Sequence, residues 1–294
     1  MSAETQTAEW GVDSEHGRLF DVLLCPPDNF HWLETSAITR ATLASGRRFE
    51  PETARRQHAE MVAAYEQAGV RCHFLTPDPA LPYQVFARDS SVMTPAGAVV
   101  TQPAQPWRRG EYAPVIRFYR EAGIRIRGMI TAGSLEGGDV MLLEPGRALI
   151  GAGEARTQQA AAHQLAAWLA ADGWEVRVEP IPERWVHIDV LLGVVGERLL
   201  AACVDALSFG LVSWLRASGF ELVEVSPDDA FTLGANAISL GGDRVLSAAG
   251  AARLNEALRA RGLEVLDPDL EMLTLGGGGP HCLAQALRRA RLGG

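Results

Sequence analysis

The stretch Asp139-Val140-Met141-Leu142-Leu143-Glu144-Pro145-Gly146-Arg147-Ala148-Leu149-Ile150 contains two short apolar runs around a Glu-Pro-Gly turn. Such a pattern predicts a β-hairpin. Sixteen residues before it, Gly123 follows an amphipathic helical segment and begins the apolar run Gly123-Ile124-Arg125-Ile126. A glycine directly after a helix, followed by a strand, is typical of an α-to-β connection. The stretch therefore predicts one supersecondary unit built from a helix, a strand and a hairpin.

The same unit recurs along the chain. Five helical segments end at a glycine followed by an apolar run, namely Gly69-Val70-Arg71-Cys72, Gly123-Ile124-Arg125-Ile126, Gly173-Trp174-Glu175-Val176, Gly219-Phe220-Glu221-Leu222 and Gly262-Leu263-Glu264-Val265. A chemically reactive residue stands 16 to 20 positions after each glycine: Asp89, Asp139, Asp189, Asn236 and Cys282. Repetition of one supersecondary element about every 45 to 50 residues is typical of a propeller or another repeat array. If the five units close around an axis, these five side chains meet at its centre and form an active site.

Composition and charge exclude several classes of protein. The 294 residues carry a net charge of −9 and no basic cluster, which argues against binding to nucleic acid or to an anionic membrane. All 27 basic residues are arginines, so a Schiff-base lysine, a pyridoxal-phosphate enzyme and a phosphate-loop lysine are excluded. The N-terminal segment shows no signal-peptide pattern, and no apolar stretch approaches the ~18 residues of a membrane span. We expect a cytoplasmic protein.

The four cysteines are scattered, without a CxxC pair, so the sequence indicates neither a zinc site nor a disulfide framework. Cys25, Cys72 and Cys203 lie in apolar, strand-like runs and are expected to be small buried hydrophobic residues. Cys282 instead follows the glycine-rich run Gly276-Gly277-Gly278-Gly279-Pro280-His281. In a reducing compartment a free thiol at this position is available for catalysis.

No change of composition marks a linker. We predict a polar, loose N-terminal tail over residues 1–18 and one catalytic α/β domain over residues 19–294. A strand is expected at 21–24, and residues 28–50 have little regular pattern, which is typical of a lid or rim loop. Apolar residues at three- and four-residue spacing predict helices over 52–68, 111–122, 155–172, 206–218 and 250–261.

Around the five central positions the sequence supplies acids, a base and a nucleophile. In His187-Ile188-Asp189 the two polar side chains are two residues apart, so in a strand they face the same side. His281 is adjacent to Cys282, and in an extended segment it points to the opposite face. His187 is therefore the better candidate for the base that serves Cys282. The glycines before Asp139 and Cys282 permit close backbone approach and positive φ angles.

Each of these residues, taken alone, has an ordinary structural explanation. A lone cysteine is usually part of the core, a lone histidine on an apolar strand usually has a hydrogen-bond partner there, and an aspartate at the start of a strand usually caps a turn. Their placement at corresponding positions of all five units is what favours a functional site.

The motifs Phe86-Ala87-Arg88-Asp89, Leu135-Glu136-Gly137-Gly138-Asp139, His187-Ile188-Asp189 and Gly277-Gly278-Gly279-Pro280-His281-Cys282 resemble those of the guanidino-group-modifying enzymes. This superfamily contains arginine deiminases, dimethylarginine dimethylaminohydrolases, amidinotransferases and agmatine deiminases. The resemblance extends over residues 19–294. It implies a five-bladed α/β propeller of pseudo-fivefold ββαβ repeats, in agreement with the number of units. The stretches 101–103, 108–111 and 153–157 are similar to the dimethylargininase branch.

The resemblance implies a role for each residue of the reaction centre. Cys282 attacks the guanidinium carbon, while His187 protonates the departing amine and then activates water. Glu136 holds His187 and the substrate nitrogens, and the carboxylates of Asp89 and Asp189 pair with the guanidinium N–H groups. The bound cation would itself favour the thiolate of Cys282.

Further residues are implied to bind the rest of the substrate. Arg156, and less directly Arg108, correspond to positions that hold a substrate carboxylate; a surface ion pair is the alternative for both. Asp139, Asn236 and Phe86 are further candidates for substrate contact. Neither a metal ion nor an organic cofactor is implied.

The sequence departs from its relatives at a few positions. Dimethylargininases carry Glu in place of Arg88 and usually Lys in place of Asp189, whereas this chain has the arginine-deiminase-like RD and HxD pairs. Tyr83 stands where relatives place Asn or Asp to read the amino-acid end of the substrate, and Ala284 replaces a common Ser or Thr. These changes leave the reaction centre intact and the tail of the substrate open.

Three functions stay open on the sequence. The first is a hydrolase that cleaves a C–N bond of a guanidino compound, most simply arginine or a methylated arginine, through a covalent thiouronium on Cys282. The second is an amidinotransferase, in which an acceptor amine replaces water; the His281-Cys282 pair is similar to that branch. The third is a non-catalytic binding propeller, against which the joint presence of nucleophile, base and two acids argues. The expected partner is a small guanidino molecule, and the oligomeric state, including a homodimer, is left open.

Overall fold

The structure, a computed structural model, describes residues 10–153 and 155–293. Its strands are β1 (Leu19–Leu24), β2 (Arg71–Phe74), β3 (Ser91–Thr94), β4 (Gly97–Val100), β5 (Ile126–Met129), β6 (Val140–Glu144), β7 (Arg147–Ala152), β8 (Glu175–Pro180), β9 (Leu192–Gly196), β10 (Leu199–Ala202), β11 (Glu221–Glu224), β12 (Ile238–Gly241), β13 (Arg244–Leu246), β14 (Glu264–Leu266) and β15 (Gln285–Arg289). Its helices are α1 (Ala37–Ala44), α2 (Pro51–Gln67), α3 (Tyr112–Glu121), α4 (Gln159–Ala171), α5 (Phe209–Ala217), α6 (Pro227–Phe231), α7 (Ala252–Arg259) and α8 (Glu271–Thr274).

The strands form five three-stranded sheets, ordered β3-β4-β5, β6-β7-β8, β9-β10-β11, β12-β13-β14 and β15-β1-β2. In each of the first four, an antiparallel hairpin is followed by a helix and by a third strand that runs parallel to the middle one. The fifth sheet joins the two ends of the chain, because β1 pairs antiparallel with β15 and parallel with β2. The ββαβ unit therefore occurs five times, and the predicted five-bladed α/β propeller is confirmed.

Local sequence explains where the main helices end. A glycine with positive φ follows five of them: Gly69 (76°), Gly123 (68°), Gly173 (87°), Gly219 (85°) and Gly262 (88°). Residues with a Cβ avoid this conformation, which turns the chain from a helix into a strand. The five predicted helices correspond to α2, α3, α4, α5 and α7, with bounds that agree to within four residues. No helix of the described chain is long and apolar enough to cross a membrane.

The predicted loose tail is wrong for residues 10–18. Glu15 is buried, and its backbone N–H donates to the carbonyl of Leu142 over 2.8 Å. Asp13 Oδ2 accepts the backbone N–H groups of Leu292 and Gly293 over 2.8 and 3.0 Å. These polar groups tolerate burial because partners far away in the sequence satisfy their hydrogen bonds. The packed part of the chain thus begins before residue 19, and residues 1–9 of the predicted tail lie outside the described residues.

Residues 28–50 are more regular than predicted, because they contain α1. Ser36 caps this helix: its side chain accepts the N–H of Thr39, and the Thr39 hydroxyl accepts the N–H of Ser36 in return. Such a reciprocal cap satisfies two of the unpaired donors at a helix start. The irregular residues before α1 are also fixed, since Trp32 Nε1 donates to the carbonyl of Met272 over 2.9 Å.

Candidate active site

Short 3-10 turns at Ala87–Ser90, Gly137–Asp139 and Ile188–Val190 precede the first strand of three sheets. Each turn carries the central aspartate of its repeat. Asn236 precedes β12 and Cys282 precedes β15 in the same way. The five repeat positions therefore lie at equivalent places in the five sheets, and all five side chains are buried.

Four of these positions converge. Asn236 Nδ2 lies 3.2 Å from Cys282 Sγ, which lies 3.2 Å from Asp189 Oδ2. Asp89 Oδ1 accepts the N–H of Gly138 over 3.0 Å and lies 3.7 Å from His187 Nδ1. A Cβ at Gly138 would lie 2.6 Å from His187 Nδ1 and 3.1 Å from Asp189 Oδ2. Only a glycine at this point allows the imidazole and both carboxylates to share one site.

Cys282 is a buried, neutral thiol in this structure. Asn236 Oδ1 accepts the backbone N–H groups of His281 and Cys282 over 3.1 and 3.3 Å, which fixes the turn that carries the sulfur. Burial, together with the negative charges of Asp189 and Asp89, raises the pKa of Cys282 well above its usual range. The thiol therefore donates to Asp189 Oδ2, and a reactive thiolate requires a cation bound beside it.

His187 and Glu136 form a charged pair, with 2.7 Å between His187 Nε2 and Glu136 Oε2. Burial alone would lower the pKa of His187, but the carboxylates of Asp89, Asp139 and Glu136 outweigh burial and raise that pKa to about 10. Burial alone would raise the pKa of Glu136, but the charge of Arg156 and the hydrogen bond from His187 lower it below its usual range. A buried imidazolium in this position is able to protonate a leaving amine.

The guanidinium of Arg108 is occupied by protein carboxylates. Its Nη1 lies 2.7 Å from Asp89 Oδ2, and its Nε and Nη2 form a bidentate pair with Glu111 at 2.9 and 2.8 Å. The alternative of a surface ion pair is wrong, since Arg108 is only 2% exposed. Because the N–H groups of Arg108 point at Asp89 and Glu111, these contacts favour a role for Arg108 in orienting Asp89.

Asp139 makes a different contact from the other central residues. Its Oδ1 accepts the backbone N–H of Ile188 over 2.9 Å, and burial raises the pKa of its carboxyl to about 7. Asp139 thus fixes the backbone between His187 and Asp189. Its predicted contact with substrate stays a prediction.

Phe86 and Arg156 border the site next to the segment before α1. The ring of Phe86 meets that of Phe30 edge-on, with centroids 5.4 Å apart. Arg156 Nη1 lies 3.3 Å from Glu136 Oε2, and its Nη2 donates to the carbonyl of Thr35 over 2.9 Å. Arg156 therefore connects the predicted rim segment to the acid that holds the imidazole, and it too is buried and not part of a surface ion pair.

Two residues with no role predicted from the sequence complete the site. Glu15 contacts Arg88 Nη2 at 2.8 Å and His281 Nε2 at 3.2 Å, and His281 Nδ1 lies 2.9 Å from Asp189 Oδ2. The expectation that His281 points away from Cys282 is wrong, because residues 280–283 form a turn and both side chains reach Asp189. The expected strand at 187–189 is likewise a 3-10 turn. The arginine of the FxRD motif, Arg88, was the available sequence signal, because a buried guanidinium needs a carboxylate partner from another part of the chain.

Asp89, Glu136 and His187 present ligand-type atoms within 4.8 Å of one another. A metal ion requires a neutral imidazole, whereas the pKa of His187 is raised to about 10. Arg108 and Arg156 also pair with the two carboxylates. We therefore assign no metal to this group, and its absence stays a prediction.

Comparison with known proteins assigns the chain to a family. Residues 27–289 match the family described as N,N dimethylarginine dimethylhydrolase, eukaryotic. The chain belongs to this dimethylargininase family. It is 30% identical over 231 residues to N(G),N(G)-dimethylarginine dimethylaminohydrolase of Mycobacterium tuberculosis, which covers 79% of this chain and 74% of the relative. It is 29% identical over 246 residues to arginine deiminase of Mycobacterium marinum, which covers 71% of this chain and 61% of the relative.

A solved structure supports the fold. The dimethylarginine dimethylaminohydrolase of Pseudomonas aeruginosa, complexed with citrulline, matches with a TM-score of 0.76 at 24% identity, over 91% of this chain and 99% of that chain. The predicted resemblance to the guanidino-group-modifying superfamily is confirmed by these matches.

Within this family, the departure at Tyr83 affects the rim of the site. The Tyr83 hydroxyl accepts the backbone N–H of Leu33 over 3.0 Å and the hydroxyl of Thr35 over 3.4 Å. It also donates to the carbonyl of Leu33 over 3.3 Å. Tyr83 thus fastens residues 33–35 beside the site, in the same segment that Arg156 holds. Ala284, a further departure, is buried two residues after the thiol.

Proposed function

We propose that this protein hydrolyses a C–N bond of a guanidino compound, arginine or a methylated arginine, through a covalent intermediate on Cys282. The observation that carries the proposal is the carboxylate of Asp189. Its Oδ2 is shared by Cys282 and His281, whereas its Oδ1 is buried without a hydrogen-bond partner among the described residues. An unsatisfied buried acceptor costs free energy, and a guanidinium group supplies the missing donor. The relatives named as hydrolases of guanidino compounds support this class of reaction.

The substrate cation also supplies the charge that the thiol lacks. A guanidinium bound between Asp89 and Asp189 offsets the two carboxylates that hold the pKa of Cys282 high. Its positive charge favours ionisation of the neighbouring thiol. The thiol therefore releases its proton to solvent when substrate is bound, and the free protein keeps a thiol of low reactivity.

The reaction then proceeds in two halves. The Cys282 thiolate attacks the guanidinium carbon and forms a C–S bond; the His187 imidazolium donates its proton to the departing amine as the C–N bond breaks. The adduct is a thiouronium. Neutral His187 next takes a proton from a water molecule whose oxygen attacks the same carbon. The C–S bond breaks and restores the thiolate, while the attacking oxygen loses its remaining proton to the released amine or to solvent, which leaves a neutral ureido product. Glu136 keeps the imidazole oriented throughout.

The remaining residues are assigned from their contacts. We assign Arg156 to a substrate carboxylate, because its Nη2 is held by a backbone carbonyl that a carboxylate can replace. Arg108 orients Asp89. Asn236 positions the backbone and sulfur of Cys282, and Phe86 supplies an apolar wall.

A panel of guanidino compounds tests the proposal. We expect arginine to give ammonia, or dimethylarginine to give dimethylamine, together with a ureido product, in water and without an acceptor amine. Cys282→Ser serves as the blank. Turnover that appears only after an acceptor amine is added would identify an amidinotransferase. If no guanidine of the panel gives a ureido product, the proposal is wrong.

A further inference from the structure

A line of buried polar contacts runs from the N-terminal segment to the reactive thiol. Arg88 Nη2 lies 2.8 Å from Glu15 Oε1, and Glu15 Oε2 lies 3.2 Å from His281 Nε2. His281 Nδ1 lies 2.9 Å from Asp189 Oδ2, which is 3.2 Å from Cys282 Sγ. All five side chains are buried. From the arginine to the second carboxylate the charges alternate in sign, so that each charged group stabilises its neighbour.

Both ring nitrogens of His281 face a carboxylate. A neutral imidazole has one N–H donor and satisfies one of them, whereas an imidazolium donates to both. The geometry therefore requires the doubly protonated form. Burial and the charge of Arg88 oppose protonation, but Glu15 and Asp189 outweigh them and raise the pKa of His281.

His281 in turn determines which oxygen of Asp189 is free. Oδ2 is held by His281 and by the thiol, so Oδ1 is the oxygen left without a partner. Burial alone would raise the pKa of Asp189, but the hydrogen bond and the charge of His281 lower it. Of the described residues, His187, Cys282 and Asp139 are further titratable groups that act on Asp189. Those that act on Glu15 besides His281 are Arg88 and Arg289.

We propose that Glu15 and His281 are positioning residues, in which Glu15 keeps His281 cationic and His281 keeps Asp189 ionised with Oδ1 directed at the substrate. The identity of that substrate as a guanidinium rests on the proposed function. The row of alternating charges Arg88, Glu15, His281 and Asp189, which we call the charge chain, is a property of the free protein. It makes Glu15, from the segment before β1, a component of the active site.

Glu15→Gln removes the charge at almost constant volume. The amide oxygen still accepts from Arg88, while the amide nitrogen faces His281 Nε2 and donates to it, which leaves His281 neutral with one proton on Nδ1. The acid limb of the kcat/KM profile should then move to higher pH by roughly 1–3 units, because Asp189 loses its cationic neighbour. Glu15→Asp keeps the charge and should return the limb most of the way to its wild-type position.

The matched control is Asp13→Asn. Asp13 anchors the same segment through the N–H groups of Leu292 and Gly293, and it makes no hydrogen bond to Glu15, His281 or Asp189 within the described structure. This variant should leave the acid limb where it is. An equal shift in Asp13→Asn would show that looseness of the segment, and not the charge of Glu15, moves the profile, which would overturn the inference.

A measurement without substrate separates this inference from the proposed function. Imidazole nitrogen NMR, assigned with His281→Asn, should show His281 charged at pH 7 in the wild type and neutral in Glu15→Gln. A neutral His281 in the wild type overturns the inference, and this measurement does not depend on whether Glu15→Gln folds. An identical titration of His281 in both proteins also overturns it. If His281 titrates as expected but no guanidine is turned over, the proposed function fails and the charge chain stands.

Discussion

At the scale of single residues, the site depends on one thiol that is neutral until a cation binds. Cys282→Ser is almost isosteric but has no anionic form near neutral pH, so turnover should fall by about four orders of magnitude or more. Folding should be nearly unchanged. His187→Ala should also lose turnover, yet it should still form an adduct with an amidine that carries a good leaving group, because that step needs less acid help.

Mass spectrometry of the wild type and of His187→Ala, each incubated with a reactive amidine, locates the adduct. Cys203→Ala is the control, since Cys203 is buried among apolar residues and should be dispensable for turnover. Labelling of a cysteine other than Cys282 would show that the nucleophile is wrongly assigned.

The protonation state of Asp139 affects the stability of the folded protein. Its folded-state pKa of about 7 lies above the ordinary aspartate value of about 3.9. The folded protein therefore retains a proton that the unfolded chain has lost, and this contribution to stability disappears as the pH rises from about 4 to 7. Asp139→Asn mimics the protonated side chain and should raise Tm at pH 8 by roughly 2–4 °C. At pH 4 the gain should vanish, as thermal unfolding at the two pH values will show; a gain that is equal at both would contradict the raised pKa.

At the scale of elements, the segment before α1 is held beside the site by hydrogen bonds of Tyr83 and Arg156. Tyr83→Phe removes the hydroxyl that binds Leu33 and Thr35. We expect faster amide exchange across residues 30–36 and a KM about fivefold higher, as the loss of about 1 kcal/mol implies.

Tyr65→Phe is the matched control for this prediction. The Tyr65 hydroxyl is buried and has no hydrogen-bond partner among the described residues, so its removal should cost no stability and leave KM unchanged. If Tyr83→Phe behaves in the same way, the segment is not fastened by that hydroxyl.

The elements also show which features were predictable from the sequence. Helix ends and hairpins follow from local signals. The backbone at Gly123 has a positive φ, which favours glycine, and the residues around Pro145 favour a turn. The polarity of Asp13 and Glu15 instead predicted a loose tail, because their side-chain partners lie more than 70 residues away in the sequence. The same limit applies to His281: its orientation follows from a turn and from Asp189, and neither is visible in the spacing of adjacent residues.

At the scale of the whole molecule, the fifth sheet closes the ring by joining the chain ends. The repeat predicted five units but not the pairing of β1 with β15, because strand pairing over such a distance leaves no local pattern. Asp21 of β1 is fully buried and binds across this sheet: Arg288 Nε on β15 lies 2.6 Å from its carboxylate, and His73 Nε2 on β2 lies 2.9 Å from it. One carboxylate thus fastens all three strands of the closing sheet.

Asp21→Asn tests how far ring closure supports both stability and the site. Because Arg288 and His73 are partly exposed, we expect a loss of about 2–3 kcal/mol in unfolding free energy, below the 3–5 kcal/mol of a fully buried pair. Glu224→Gln is the control: Glu224 pairs with Arg216 on the surface, and its loss should cost less than about 1 kcal/mol.

Cys282 stands three residues before β15, so opening of this sheet displaces the nucleophile. Urea titrations that follow fluorescence and turnover in the same samples should therefore give one coincident transition, shifted to lower urea in Asp21→Asn. Turnover that survives beyond the fluorescence transition would mean that the site does not depend on the closed ring.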